Sequence, residues 1–347
     1  MRFLCLLFLL ITASCSASPG EFLQRPENTM GWPQASSEPR ITFEFLYHGI
    51  EDTDRSPGFW TSLGRWVLGE DRRALGAPYG MALAADGNTL LIADTGYGVV
   101  HRLDLITGEH TVLDGAPEYP LLTPVGIAVL DDGSFAVTDS TRSEVILFNA
   151  DGTPVKSFGS SAELGRPTGI VWDAPRERLL ILDTTGGRLL SYNADGVFLE
   201  STGNPGDGPG TFNHPTNLAV SDDGHIFLSD SLNFRIQTLG PDLMPTSEFG
   251  IAGNGPGTFA KPKGIALDSD GHIYVVDAMF DNVQIFDRNG ALLLTFCQSG
   301  GGFAGLHLPT GIFISKDNRI FIADAGNSRI QVFRYHPLPE TPTPVAP

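Results

Sequence analysis

Six times along this chain a proline opens a short apolar run, a turn follows, and a second apolar run ends in aspartate. The prolines are Pro78, Pro124, Pro167, Pro215, Pro262 and Pro309, at intervals of 46, 43, 48, 47 and 47 residues. The aspartates are Asp94, Asp139, Asp183, Asp230, Asp277 and Asp324. Five residues beyond each one a third apolar run begins, at Val99, Glu144, Arg188, Arg235, Asn282 and Arg329. A period of this size constrains the fold more than any single motif, because one such unit cannot bury both of its faces and must stack on its neighbours. The fifth unit, KPKGIALDSDGHIYVVDAMFDNVQIF at 261–286, reads as three strands joined by tight turns.

Asp-Gly pairs at 86–87, 132–133, 223–224 and 270–271 separate the first two runs, where glycine supplies the positive φ that such turns need. Asp317-Asn318 takes that place in the sixth unit, and Ala174-Pro175-Arg176-Glu177 makes a longer turn in the third. A fourth run follows in units one to five: TVLDG, PVKSFG, VFLEST, PTSEFG and LLLTFC. The expected fold is all-β, a six-bladed propeller of four-stranded antiparallel blades.

The sixth unit runs into HPLPETPTPVAP, too rich in proline to supply a ladder strand. An unassigned strand, RITFEFLY at 40–47, stands upstream of the first unit and is expected to complete the last blade. The organisation expected is therefore an export signal over 1–15 and a tether over 16–39, rich in Ser, Pro, Glu and Gln. The propeller follows over 40–336, with an insertion at 48–75, and a proline-rich tail over 337–347. Within the insertion, SPGFWTSLGRWVLGE suggests a short helix capped by Ser56, with Phe59, Leu63, Trp66 and Val67 on one face.

Residues 1–15 begin with Arg2 and an apolar run from Phe3 to Ile11, too short for a stable membrane anchor. Thr12, Ala13, Ser14 and Cys15 resemble the lipobox of bacterial lipoproteins, although Thr12 stands where leucine is favoured. Two outcomes stay open: lipidation at Cys15, or cleavage near Ala17 and a soluble exported protein. The address is the periplasm or cell surface, with the membrane touched only through such a lipid. Cys297 is the one cysteine outside the leader, and its place at a strand end suggests a buried small hydrophobe. The net charge is −18 with no basic cluster, which argues against nucleic acid.

The most specific stretches are GNPGDGPGTFNHPTNLAV at 203–220, GNGPGTFAKPKGIAL at 253–267 and DAGNSRIQVF at 324–333. They resemble the opening and third strand of NHL repeats, over roughly residues 76–335. The resemblance implies a six-bladed propeller and leaves function open. It brings in a zinc-dependent lyase among relatives, whose metal is held by channel histidines. Here only His214 and His307 lie beside a blade-opening proline, so no metal site and no cofactor is expected. No His-Glu-x-x-His, Gly-x-Ser-x-Gly, Walker loop or Cys-x-x-Cys occurs.

The six aligned aspartates could crown a cation site, but repetition in every unit is what a structural role in the turn predicts. DSDGHIY at 268–274 resembles the start of a calcium loop but lacks the closing glutamate. The candidate binding residues are the variable ones three places after each aspartate, Tyr97, Arg142, Asn233, Phe280 and Asn327, together with His214. The expected function is non-catalytic: a propeller presenting one face to a protein or peptide partner of the cell envelope. The alternatives are a channel-centred enzyme, either a lactonase-like hydrolase or a lyase, and an accessory subunit of an envelope electron-transfer complex.

Overall fold

The computed structural model describes residues 23–34, 36, 38–49 and 74–337. The leader, Cys15, the helix expected within 48–75 and most of the proline-rich tail lie outside the described residues. Six sheets stand in a ring, and each aligned proline marks the opening of one blade. Blade five is representative: Pro262–Leu267, Ile273–Asp277, Asn282–Phe286 and Leu292–Phe296 pair antiparallel in chain order from the axis outward. Blades one to four repeat that order from Pro78–Leu83, Pro124–Val129, Pro167–Asp173 and Pro215–Val220.

Blade six combines both ends of the ring. Ile312–Ile314, Arg319–Asp324 and Arg329–Tyr335 form its inner three strands. Ile41–Tyr47 pairs antiparallel with Arg329–Tyr335, from Ile41 opposite Tyr335 to Tyr47 opposite Ile330. A bulge between Phe43 and Phe45 breaks the strict alternation of this strand, so Leu46 is buried as well as Phe45 and Tyr47. The segment read as a tether also contributes: Gly31–Trp32 pairs with Ile41 and Thr42, and Leu23 is buried. The ring of Trp32 lies 6.0 Å from Phe296 and 5.9 Å from Phe333. Apolar residues at 23 and 32, which composition alone hides, carry this part of the chain onto the blade.

The core is six apolar layers between blades. Phe321, Ala323, Ile330 and Val332 of blade six meet Met81, Leu90, Ile92 and Leu103 of blade one, so the ring closes on itself. Closure is close at the axis as well. A Cβ on Gly311 would stand 1.9 Å from the carbonyl oxygen of Tyr79, and one on Gly80 2.3 Å from that of Val125. Glycine in the inner strand lets neighbouring blades approach that tightly. Threonine hydroxyls clasp the same seam: Thr310 donates to the Pro78 carbonyl at 2.8 Å, and Thr138 to that of Thr168 at 2.6 Å.

Phe43 is buried and meets Phe333 and Phe303 edge-on, at 5.1 and 5.5 Å between ring centroids. Phe43→Ala is expected to destabilise the whole ring by about 3–5 kcal/mol, as for a large aromatic lost from a core. Urea melts followed by tryptophan and tyrosine signals should shift together. A cluster of titrating groups lies on blades five and six. His272 Nδ1 lies 2.8 Å from an Asp268 carboxylate oxygen, which also accepts from Tyr274 at 3.0 Å. The hydrogen bond to Asp268 raises the His272 pKa above its ordinary 6.5, against the opposing effect of burial. The stability it contributes is therefore complete below pH 6.5 and is lost as pH rises through the raised value. The unfolding free energy of wild type minus His272→Gln should be larger at pH 5 than at pH 8.

Candidate functional site

Each aligned aspartate lies at the end of a second strand and is fully buried. Its carboxylate ties the loop that opens the blade to the turn between the second and third strands. Asp277 accepts from the backbone N–H groups of Ala260 (2.7 Å), Lys261 (3.1 Å), Met279 (3.0 Å) and Phe280 (3.2 Å). Asp94 and Asp139 do the same with Gly76, Ala77, Gly96 and Tyr97, and with Leu122, Thr123, Thr141 and Arg142. In blades four and six side chains take over most of these bonds. Asp324 accepts from the Arg329 Nε at 2.7 Å, Asn327 Nδ2 at 2.9 Å, Gln331 Nε2 at 3.0 Å and His307 N–H at 2.7 Å. Burial works against the charge of Asp94 and of Asp183, but the hydrogen bonds outweigh it and hold both carboxyls below the usual range. These six carboxylates are structural, and among the described residues no three His, Cys, Asp or Glu side chains gather as a metal-holding group.

The candidate binding residues separate on this basis. Asn233 and Asn327 turn their amides inward, donating to Asp230 and Gly206 and to Asp324 and Gly300. Arg142 pairs with Glu144 at 2.7 Å on the same face. Tyr97 and Phe280 are half-buried, whereas His214 is exposed, in a left-handed conformation with φ 53°. All stand on the upper face, where the blade-opening loops and the second-to-third-strand turns meet. Three side chains that sequence reasoning passed over reach further from that face. Leu232, Met279 and Leu308 are 43%, 61% and 48% exposed. The first two follow their aspartates by two places, and Leu308 sits beside the blade-five turn through its N–H bond to Asp281. Cys297 follows Leu292–Phe296 and packs against the layer between blades five and six; burial, and then the charge of Asp324, push its thiol up.

A channel of about 860 Å³ runs along the axis. Its walls are the inner strands, from Tyr79, Thr168 and Asn217 at the upper mouth to Asp131, Asp222 and Asp317 at the lower. Two histidines of blade one form a buried line. His101 Nε2 lies 3.2 Å from Asp94, its Nδ1 lies 2.9 Å from His110 Nε2, and His110 Nδ1 lies 2.8 Å from the Tyr47 hydroxyl. His101 occupies the place seven residues after the aspartate that Gln237, Gln284 and Gln331 fill elsewhere. Aligning the blades exposes that substitution, but His110 and Tyr47 reach it only through the fold.

The sequence profile described as NHL repeat matches residues 259–286 and 306–333. Blades five and six each carry an NHL repeat. Both matches begin in a blade-opening loop and end on the third strand, so the NHL signature is the aspartate-held frame just described. No curated protein matches the chain in sequence. Among solved structures, virginiamycin B lyase from Staphylococcus aureus is similar over 75% of this chain and 95% of its own, at 16% identity and a TM-score of 0.56. A gluconolactonase from Xanthomonas campestris is similar over 76% and 87%, at 17% identity and a TM-score of 0.59. A chain of a nidogen/laminin complex is similar over 63% and 79%, at 20% identity and a TM-score of 0.50. At these identities the likeness is one of fold.

Asp324→Ala would leave the guanidinium of Arg329, which is 3% exposed, without its partner. A loss of about 3–5 kcal/mol is expected, as when one member of a buried pair is removed. Chemical denaturation should show it, and Asp324→Asn should recover only a part.

Proposed function

We propose that this NHL propeller is an exported binding protein whose upper face takes a protein or peptide partner of the cell envelope. The observation that supports it is the row of Leu232, Met279 and Leu308 on consecutive blades. Exposed apolar side chains that adjoin one another mark a docking face, and Leu308 sits beside the turn that carries Met279. The turns cannot swing those side chains inward, because buried aspartates hold them. His214 and Lys261 stand on the neighbouring blade openings of the same face. The leader reading of residues 1–15 supports the envelope address, and lipidation at Cys15 would tether the ring to a membrane.

The test is affinity capture from envelope membranes with full-length protein, followed by mass spectrometry. A variant carrying Leu232→Ser, Met279→Ser and Leu308→Ser should keep its melting temperature within about 2 °C, since exposed positions cost little. It should lose the partner that wild type retains. Equal retention by both proteins would remove the upper face from the reading.

A second reading, a hydrolase or lyase working in the channel, is favoured by one observation. Burial, then the charges of Lys261 and Arg166, lowers the Lys263 amine from its ordinary value to about 8, where part of it is neutral at physiological pH. The similar folds of virginiamycin B lyase and gluconolactonase are compatible with that reading. Gluconolactone hydrolysis by wild type, abolished in Lys263→Met, would support it over a purely binding role.

A further inference from the structure

The two mouths of the channel differ in kind. At the lower mouth Asp131, Asp222 and Asp317 are all exposed, with Lys316 beside them and Arg319 paired to Asp317 at 3.1 Å. At the upper mouth the side chains are donors. Lys263 of blade five holds its Nζ 5.5 Å from the centroid of the Tyr79 ring of blade one. Arg166 of blade three is close enough for its charge to act on both Tyr79 and Lys263. Asn217 of blade four stands where the other five inner strands carry glycine. Its Oδ1 already accepts from the Leu218 N–H at 2.8 Å, which leaves its amide N–H groups as the available donors.

Among the described residues the cations at this mouth have no ion-pair partner. Arginines of the blade frames are ion-paired: Arg178 with Asp173, Arg188 with Asp183, Arg235 with Asp230 and Arg329 with Asp324. Arg166, Lys261 and Lys263 make no such pair with any described residue. That is unexpected in a chain of net charge −18, in which acids outnumber bases by 40 to 22. Lys263 is half-buried while Arg166 and Lys261 are exposed; repulsion of its amine by these like charges is unfavourable, and an anion placed among them offsets it. The Tyr79 hydroxyl, pushed up to about 12 by burial and opposed by Arg166, stays protonated and can donate.

We propose that the upper mouth of the channel is a binding site for an oxyanion group, carboxylate or phosphate, held by Arg166, Lys263, Tyr79 and Asn217. The molecule bearing it extends along the axis between the inner strands, whose free backbone edges offer donors and acceptors. The acidic lower mouth repels the same ligand, so it enters and leaves by the upper one. The site is separate from the apolar row on the rim, and either can hold without the other.

The experiment uses the full-length protein at fixed ionic strength. Sodium phosphate, acetate and succinate are titrated against sodium chloride by calorimetry, with the Lys263 Nζ resonance followed by NMR. At least one oxyanion should saturate one site and raise the pH at which Lys263 titrates; chloride should not. Saturation by phosphate but not acetate or succinate makes it a phosphate site, and the reverse makes it a carboxylate site. Arg166→Gln and Lys263→Met should each weaken binding about tenfold or more, the range for a lost charged hydrogen bond. Lys263→Arg should retain it, which separates loss of charge from loss of fold. Lys316→Met, at the other mouth, should leave it unchanged. No saturable binding above chloride, or binding that survives both Arg166→Gln and Lys263→Met, overturns the proposal.

Discussion

A buried carboxylate at the end of each second strand is the contact on which this propeller depends. A sheet blade has no intrinsic reason to hold its loops in one place, since loops make few ladder bonds. Here one aspartate per blade gathers backbone N–H groups from two loops distant in sequence, such as Ala260 with Phe280. Burying a charge is costly unless it is hydrogen-bonded on every side, and these aspartates meet that condition in two ways. Blades two and five rely on backbone donors. Blades four and six recruit an asparagine, an arginine and a glutamine. Both ways occur within the matched NHL stretches, the first in blade five and the second in blade six, and the first shows the least that the turn requires.

That frame determines what can serve as a site. A residue three places after the aspartate is asparagine where the carboxylate needs another donor, and it then faces inward. It is tyrosine, arginine or phenylalanine where backbone donors suffice. Variation at this position therefore tracks how the turn is satisfied as much as what the face binds. The residue two places after the aspartate has no such duty, and there Leu232 and Met279 point to solvent. Likewise the residue after each opening proline is Tyr79, Val125, Thr168, Thr216, Lys263 or Thr310, and only two of these carry a group suited to a ligand.

The ring was legible from the sequence because its determinants are periodic: prolines, aspartates and Asp-Gly turns recur at one spacing, and each has a local physical cause. The strand at 41–47 was legible from its apolar alternation and from the missing fourth strand of the last unit. What stayed hidden depends on contacts between units. Leu23 and Trp32 sit in a stretch of loop-like composition and are ordered by blade six alone. His101, His110 and Tyr47 meet across 63 residues of sequence. Lys263 and Tyr79 face each other because the ring curves them together, and nothing in either blade foretells it.

The strand that finishes blade six has a consequence for how the molecule is made. It is the first ring segment to leave the ribosome, yet its partner is the last, with Thr42 touching His336 at a separation of 294 residues. Five blades can be complete while Ile41–Tyr47 still waits, its apolar side chains uncovered. Long-range pairing of this kind is slow, because the chain must close its largest loop before the contact is made. Until Arg329–Tyr335 has been made the nascent polypeptide thus lacks its fastening, and only then can the ring lock.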